Sequence, residues 1–547
     1  MLSAVSTLQL VLGLLVVVAV LALVSHRLHV PYPIVLVLGG LALALVPGLP
    51  PVSLAPDVVF LLFLPPLIFS GGWYTSIRDF KANLRPIGLL SIGLVLFTIV
   101  GVAAVAHAVI PGLSWPVAFV IGAIVSPTDA IAATAIFERM GVPRRVITVL
   151  EGESLVNDAT GLVAYRFAVA AVVTGGFSLW EAGMQFLVGG VGGVALGLAA
   201  AWALSQVGRR IEDPVVEITL SFLLPYGVYL AAEQLHLSGV LAAVAAGIYH
   251  GWRSPQDFSA TTRTQAFAVW EMALFVLNGL VFILIGLQLR TVLGSLSSRS
   301  PAELIWVAVV VCLAVIAIRF IWVFPATYLP RLLSPRVRQR DPYPPWRQVT
   351  IVAWTGMRGV VSLAAALSLP LQTSGHTPFP DRDLAIFLTF AVILVTLVGQ
   401  GLTLPLLVRA LRLSASEEEQ QEEADARFRA IEAAVDRLAE LESEEWTRDD
   451  ALAYMRRYYG KRRTMLATRF NRIEDGHGED GHEHGDGADH LVEHRERRNS
   501  FRRLQQELLA AERNAVVRQR NRGTINDQTL RAIQRDLDLE ELRLATS

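Results

Sequence analysis

The residues in this sequence that are best suited to chemistry are acidic and amide side chains within an apolar stretch. The segment VITVLEGESLVNDATGLVAYRFAVAAVV carries Glu153, Ser154, Asn157 and Asp158. On a helix, Ser154 and Asp158 are four residues apart and lie on one face. Glu153 and Asn157 share the neighbouring face. Oxygen ligands of this kind suit hard cations rather than metals that prefer thiolate or imidazole, so the spacing predicts a cation site on one helical turn.

A second polar group interrupts the apolar segment IGAIVSPTDAIAATAIFERMGVP, where Pro127 stands beside Ser126, Thr128 and Asp129. Pro127 lacks a backbone donor and disfavours helix at Ser126, which predicts a break in the middle of the segment. The free backbone groups of a broken helix can replace part of an ion's hydration shell, and half-helices mark substrate sites in secondary transporters. The alternative is a simple kink, which would not call for an aspartate beside it.

Two arginines in apolar segments need buried acceptors, because arginine keeps its proton. Arg358 stands between two glycines in RQVTIVAWTGMRGVVSLAAALSLP, and its natural partner is Glu153 or Asp129. The glycines would let another backbone approach or let this helix unwind as well. Arg319 also lies in an apolar segment, and the sequence names no partner for it. In a third polar segment we expect structural hydrogen bonding rather than cation ligation from Glu271, Asn278 and Gln288.

The chain that positions these groups has the composition of a membrane protein. Of its 547 residues 53% are hydrophobic and only 17% are charged, against roughly 25% in soluble domains. A helix needs about 20 apolar residues to cross a bilayer. Thirteen segments qualify, approximately 5–25, 31–49, 56–71, 84–110, 114–137, 144–174, 183–206, 214–233, 237–251, 265–289, 301–326, 348–370 and 383–410. The single cysteine, Cys312, excludes an intrachain disulfide and argues against a cysteine-based metal site.

Loop charges predict the orientation of these segments. Arginine and lysine concentrate after odd-numbered segments and are nearly absent after even-numbered ones, which predicts an external N-terminus and a cytoplasmic C-terminus. The fifth and twelfth segments are seven apart and therefore run in opposite directions, as an inverted-topology repeat requires. The predicted fold class is an all-α polytopic membrane protein of about thirteen transmembrane helices, followed by a helical cytoplasmic domain.

The predicted domain boundary lies at residue 412, where the charge pattern changes. Residues 1–412 are predicted to form the membrane domain that carries the cation site, and residues 413–547 have the pattern of charged amphipathic helices in four or so segments. Regulation or dimer contact is the expected role of this tail. A flexible linker is predicted near 475–490, where the Gly- and Asp-rich composition outweighs the alternative of metal binding. That alternative would use His477, His482, His484 and His490.

Four strings carry a family resemblance: SPTDAIAATAIFERMGVPRRV, LEGESLVNDATG, FVLNGLVFILIGLQL and WTGMRGVVSLAAAL. Over residues 5–410 the chain resembles the monovalent cation/proton antiporters of the sodium/proton exchanger type, in particular the bacterial branch with a cytoplasmic tail. The resemblance implies thirteen spans with inverted repeats, interrupted helices that cross at spans five and twelve, and homodimers in the plasma membrane. It implies neither an enzyme nor a cofactor, since the cation and the proton are substrates.

The resemblance also implies roles for single residues. Asp158 matches the essential aspartate that binds ion and proton, and Asn157 matches the asparagine that accompanies electroneutral exchange. The further positions of the implied cation site are Asp129, Thr128 and Ser154. Glu153 and Arg358 match a buried structural ion pair. In many relatives a carboxylate stands where this sequence has Ser70, so an acidic ligand is expected to be missing there.

The predicted mechanism is competition between Na⁺ and H⁺ for Asp158. An aspartate in water titrates near pH 3.9. Exchange near neutral pH therefore needs an environment that favours the protonated form, which burial and neighbouring carboxylates provide and Arg358 opposes. One rival is a K⁺/H⁺ or broad monovalent cation antiporter with the same chemistry. A remoter rival is a cation channel or a membrane sensor, which would show uncoupled current or ligand binding without flux.

Overall fold

The computed structural model describes residues 4–47, 59–176, 179–211, 213–294, 300–413, 417–444, 446–469 and 491–546. They cluster into two compact units. One comprises Met1–Thr75, Asp79–Arg253 and Phe267–Ala415, and the other Ser76–Arg78, Ser254–Ala266 and Ser416–Ser547. The linker predicted near 475–490, with its histidines, lies outside the described residues.

The membrane region is built from helices, which follow one another along the chain with short connections. In order they are α1 (Ala4–Leu28), α2 (Tyr32–Ala44), α3 (Phe60–Tyr74), α4 (Ile77–Ala82), α5 (Leu84–Val109), α6 (Trp115–Val125), α7 (Ile131–Met140), α8 (Arg144–Thr174), α9 (Leu179–Gly208), α10 (Pro214–Gln234), α11 (Gly239–Asp257), α12 (Ala260–Leu287), α13 (Leu289–Gly294), α14 (Pro301–Leu333), α15 (Pro335–Arg340), α16 (Trp346–Trp354), α17 (Val360–Leu367) and α18 (Arg382–Leu411).

The helical membrane fold predicted from the sequence is confirmed. Among the described residues, eight helices are long and apolar enough to cross a bilayer, and α2, α3 and α6 are shorter apolar helices. The count of thirteen crossings stays a prediction, because the interrupted segments contribute half-helices that are individually too short to span.

Both predicted interruptions are present. The first lies between α6 and α7, where Pro127 removes a backbone donor. The Asp129 carboxylate accepts a hydrogen bond from the Ile131 backbone N–H at 2.8 Å, so it satisfies the first free donor of the second half-helix. The second interruption lies between α16 and α17. There a Cβ atom on Gly359 would lie 2.0 Å from Asp129 Oδ2, so only glycine lets the two segments approach this closely.

Small residues also bring the surrounding helices together. A Cβ atom on Gly122 of α6 would lie 2.5 Å from the Ile99 carbonyl oxygen of α5. Likewise, a Cβ atom on Gly247 of α11 would lie 2.2 Å from the Phe69 carbonyl oxygen of α3. Helices in lipid associate largely through such close packing, because apolar side chains gain little by leaving the hydrocarbon. These contacts fix α5 beside the first half of the interrupted helix, and α11 beside α3.

The second unit contains the tail, whose predicted helical character is confirmed. Its described helices are α19 (Glu417–Leu441), α20 (Asp449–Arg469), α21 (Leu491–Asn521) and α22 (Asp527–Thr546). Apolar side chains, including Leu504 and Leu508, form its core. Within this unit Glu512 is buried and accepts hydrogen bonds from the Tyr459 hydroxyl at 2.7 Å and from Arg462 at 2.9 Å.

Candidate cation site

The two interruptions contact each other and satisfy each other's polar groups. The Asp129 backbone N–H donates to the Met357 carbonyl oxygen at 2.7 Å. In the opposite direction, Arg358 of the second interruption donates from Nε to the Val125 carbonyl oxygen of the first, at 3.0 Å. The Arg358 backbone N–H donates to the Thr396 hydroxyl at 3.1 Å, on a π-helical turn of α18. Unpaired backbone groups are costly in a membrane, so these bonds fix both breaks at one place.

A cavity of about 260 Å³ opens beside this crossing. The four residues predicted for the cation site all line it: Asp158, Asp129, Thr128 and Ser154. Asp158 and Asp129 are half-buried, so their carboxylates reach the cavity while most of each side chain is covered. Five helices contribute walls, namely α3, α7, α8, α12 and α17. The structure therefore brings together residues that are about 30 positions apart in the sequence.

Behind the cavity, a chain of hydrogen bonds holds the interrupted helix against α8. The Thr128 hydroxyl donates to Glu153 Oε1 at 2.8 Å. It accepts from Asn157 Nδ2 at 2.7 Å, and the same amide donates to the Thr128 carbonyl oxygen at 3.1 Å. Asn157 is fully buried and does not line the cavity. Both Thr128 oxygens are therefore engaged by protein groups, and Asn157 acts on the site through Thr128.

The partner of Glu153 differs from the one predicted. We expected Arg358, whereas Arg319 of α14 binds both carboxylate oxygens of Glu153, at 2.5 and 2.8 Å. Arg319 Nε also donates to a backbone carbonyl oxygen, that of Val352, at 3.1 Å. Arg358 is instead occupied by the backbone carbonyl oxygens of Val125 and Gly356. The free carbonyl oxygens of the broken helices accept from Arg358. The Glu153 carboxylate is therefore bound by Arg319, whose two parallel N–H groups match its two oxygen atoms.

Besides Tyr74, Thr134 and Glu151, three further polar residues line the cavity. The Ser70 hydroxyl donates to the Leu67 carbonyl oxygen at 2.8 Å, so this wall presents no carboxylate at position 70. Asn278 of α12 and Ser362 of α17 are the other two. Ser362 was missed because an isolated serine in an apolar helix carries little signal, although it follows the second break directly. Glu271, in contrast, is exposed and lies away from the cavity.

The arrangement fits the reversible binding of a small cation or a proton. Asp158 and Asp129 supply negative charge, and Ser154, Ser70 and Ser362 supply neutral oxygen atoms. Hard monovalent cations bind such oxygen sets, and a buried carboxylate that loses its cation favours a proton in its place. This set of residues provides a binding equilibrium and requires no covalent step.

Comparison with known proteins agrees with this geometry. The family described as sodium/hydrogen exchanger, transmembrane, matches residues 13–410. An uncharacterized Na⁺/H⁺ exchanger of Mycobacterium tuberculosis is 35% identical over 547 residues, which cover 98% of this chain and 97% of that protein. A sodium, potassium, lithium and rubidium/H⁺ antiporter of Bacillus pumilus is 37% identical over 389 residues, which cover 69% of this chain and 58% of that protein.

Among solved structures, the sodium proton antiporter MjNhaP1 from Methanocaldococcus jannaschii at pH 8 matches with a TM-score of 0.58 and 19% sequence identity. The match covers 73% of this chain and 100% of that one. At this identity it establishes a shared fold. The family match and the two relatives add the sequence evidence. This chain therefore belongs to the sodium/hydrogen exchanger family, whose members are multi-pass membrane transporters that carry out cation/proton antiport and are not enzymes.

Proposed function

We propose that this chain exchanges Na⁺ for H⁺ across the plasma membrane and that both ions compete for the Asp158 carboxylate. The observation that carries this proposal is the position of Asp158 in the same cavity wall as Asp129, where the two helix breaks meet. A charge at bilayer depth costs about 2.5 to 3.5 kcal/mol on insertion scales. The carboxylate therefore gains from binding a counter-ion, and either Na⁺ or H⁺ can neutralise it.

A second cavity supports an alternating-access cycle. It has a volume of about 420 Å³ and is lined by residues of α8 that follow Asp158, namely Ala159, Leu162, Tyr165 and Arg166. Asp158 lines the first cavity, and its neighbour Ala159 lines the second. A small displacement of α8 relative to the helices around it would expose Asp158 to the other cavity. Bound ions would then cross the membrane without a continuous pore.

The stoichiometry we propose is one proton per Na⁺, which makes the exchange electroneutral. Asn157 carries an amide, which adds no titratable proton, and it is used in holding Thr128. Of positions 157 and 158, only Asp158 then carries a proton that can be exchanged. Exchange rates in proteoliposomes should accordingly not change when a K⁺ gradient and valinomycin impose a membrane potential. A rate that follows the potential would exclude one-for-one exchange.

A broader selectivity for monovalent cations is the second candidate. The Bacillus pumilus relative is named for sodium, potassium, lithium and rubidium, and Ser70 offers a hydroxyl rather than a carboxylate in the cavity wall. Selectivity among hard cations depends on cavity size and on the number and charge of the ligands, so a hydroxyl in place of a carboxylate would change it. Proton flux in everted vesicles, started in separate runs with Na⁺, K⁺ and Li⁺, distinguishes the two candidates.

The orientation we propose places the N-terminus outside and the tail in the cytoplasm. The support is the alternation of basic connections, such as the one between α7 and α8, where Arg139 lies in the last turn of α7 and Arg144 and Arg145 begin α8. In this orientation the Asp158 cavity, whose wall includes Tyr74 and Glu151, lies toward the cytoplasmic ends of α3 and α8. Protease access to the tail in everted but not in right-side-out vesicles is the expected result.

The decisive variant for the function is Asp158→Asn, assayed in proteoliposomes with a fluorescent proton probe. We expect it to abolish cation-dependent proton movement while the protein still inserts and folds. Glu271→Gln is the matched control, because it removes a carboxylate from an exposed position outside the cavity. Undiminished exchange in Asp158→Asn would contradict the proposal. Uncoupled current in the wild type would favour a channel, and ligand binding without flux would favour a sensor.

A further inference from the structure

Three arginines from different helices converge on a single carboxylate, that of Asp341. Arg85 of α5 lies 2.8 Å from Asp341 Oδ2, Arg145 of α8 lies 2.5 Å from Oδ1, and Arg331 of α14 lies 2.6 Å from Oδ2. Three positive charges against one negative charge leave a surplus of two. We call these four residues the Asp341 cluster. A structural salt bridge alone would not require this surplus, and the remaining positive charge attracts anions.

The three guanidinium groups are not equally satisfied. The Arg331 side chain is 3% exposed, and it also donates to the Asp341 and Pro342 carbonyl oxygens at 3.0 and 3.2 Å. Arg85 donates from Nη2, but its Nε and Nη1 atoms are buried and have no hydrogen-bond partner among the described residues. Arg85 and Arg145 keep 30% and 38% of their side-chain surface exposed. Arg145 also donates from Nε to Asn83 Oδ1 at 3.2 Å. Arg331 is therefore structural, whereas Arg85 and Arg145 keep exposed surface with which to meet another acceptor.

An apolar cavity of about 60 Å³ adjoins the cluster. All three arginines line one part of it. Most of the remaining wall is apolar and comes from α5, α8, α14 and α16, including Leu89, Leu90, Val149, Val323, Val349 and Val352, while Thr327 and Gln348 add two polar side chains. This volume admits part of a head group or a short stretch of chain, so most of a larger ligand would stay in the surrounding bilayer. Adjacent charged and apolar surfaces match an amphipathic anion better than a free inorganic ion.

We propose that the Asp341 cluster and its apolar cavity bind an anionic phospholipid. The phosphate would accept hydrogen bonds from Arg85 and Arg145, and the glycerol and first methylenes would lie against the apolar wall. Basic pockets between transmembrane helices bind acidic head groups in this way, and arginine presents paired N–H groups that fit phosphate oxygens. The bound lipid would link the ends of α5 and α8, the helix that carries Asp158.

The proposal is tested by titrating the purified, delipidated full-length protein with lipid and counting bound lipids by native mass spectrometry. Dioleoyl phosphatidylglycerol is the anionic probe, and dioleoyl phosphatidylcholine is its neutral reference. We expect one phosphatidylglycerol to bind more tightly than phosphatidylcholine. Arg85→Gln or Arg145→Gln should each weaken that binding about fivefold, the equivalent of about 1 kcal/mol for a basic side chain beside an acidic lipid. Binding of phosphatidylcholine should not change.

Arg338→Gln is the matched control, because Arg338 is an exposed arginine of α15, three residues before Asp341 and outside the cluster. It should leave phosphatidylglycerol binding unchanged. Arg85→Lys keeps the charge but loses the forked donors, so it tests the site if Arg85→Gln does not fold. Equal phosphatidylglycerol affinity in the wild type and both cluster variants would overturn the proposal. Inorganic phosphate that binds as tightly as phosphatidylglycerol would also overturn it, because the lipid chains would then contribute nothing.

Discussion

Replacement of Arg319 by glutamine is predicted to destabilise the protein through the charge that it leaves behind. Arg319 and Glu153 are each 1% exposed, and the arginine binds both carboxylate oxygens. In Arg319→Gln the Glu153 carboxylate would stay buried with the Thr128 hydroxyl as its remaining donor in this network. Breaking one side of a buried ion pair costs about 3 to 5 kcal/mol, because the remaining charge is not compensated.

A double-mutant cycle distinguishes the Glu153–Arg319 ion pair from the Glu153–Arg358 pair expected from the sequence. Glu153→Gln removes the buried charge, so the double variant Glu153→Gln/Arg319→Gln should recover much of the loss, with a coupling free energy of about 2 kcal/mol or more. Arg358→Gln is the matched comparison, since Arg358 is 2% exposed but bonds to backbone carbonyls. Its coupling to Glu153→Gln should be below about 1 kcal/mol.

Both cycles can be measured by reversible unfolding in mixed dodecyl maltoside and SDS micelles, followed by tryptophan fluorescence. The free energy of unfolding of each variant is compared at one detergent composition. A larger coupling of Glu153 to Arg358 than to Arg319 would refute the assignment of the ion pair. Additive effects of Glu153→Gln and Arg319→Gln would refute it as well.

Two further predictions concern the helix crossing and the tail. Gly359→Ala should reduce exchange by about tenfold or more, since its Cβ atom would lie 2.0 Å from Asp129 Oδ2. Gly399→Ala, with open space around its Cβ atom, should leave exchange intact in the same proteoliposome assay. In the tail, burial raises the pKa of Glu512 above its ordinary value of 4.5, although Arg462 opposes the effect. Stability linked to this proton is full at low pH and is lost as the pH rises through the native pKa. Amide-exchange protection of α21, corrected for intrinsic rates, should therefore fall as the pH rises above 4.5, and Glu512→Gln should abolish this dependence.

The sequence located the parts of the site that depend on local chemistry. Pro127 predicts the first break because the loss of a backbone donor acts within one helical turn. The spacing of Ser154 and Asp158 predicts their common face, because helix geometry fixes it. These features need only the period of a helix and the cost of placing polar groups in lipid. The cavity wall contains the predicted residues in that arrangement.

The partner of Glu153 could not be found in this way. Arg319 is 166 residues from Glu153 and lies in an uninterrupted helix, and no local pattern shows which face of α14 meets α8. The sequence suggested Glu153 or Asp129 as the partner of Arg358 and no partner for Arg319. Arg358 does not pair with Glu153 because the carbonyl oxygens that the helix breaks leave free accept its hydrogen bonds. Tertiary packing determines these acceptors, and residue spacing does not reveal them.

If Na⁺ and H⁺ exclude each other at Asp158, the binding of Na⁺ must release a proton from the purified protein. Purified protein in a weakly buffered solution with a pH dye is mixed with NaCl, with choline chloride as the ionic-strength control. We expect release of up to one proton per chain near the pH at which exchange is half-maximal, and no release from Asp158→Asn. Sodium binding without proton release, or the same release from Asp158→Asn, would contradict it.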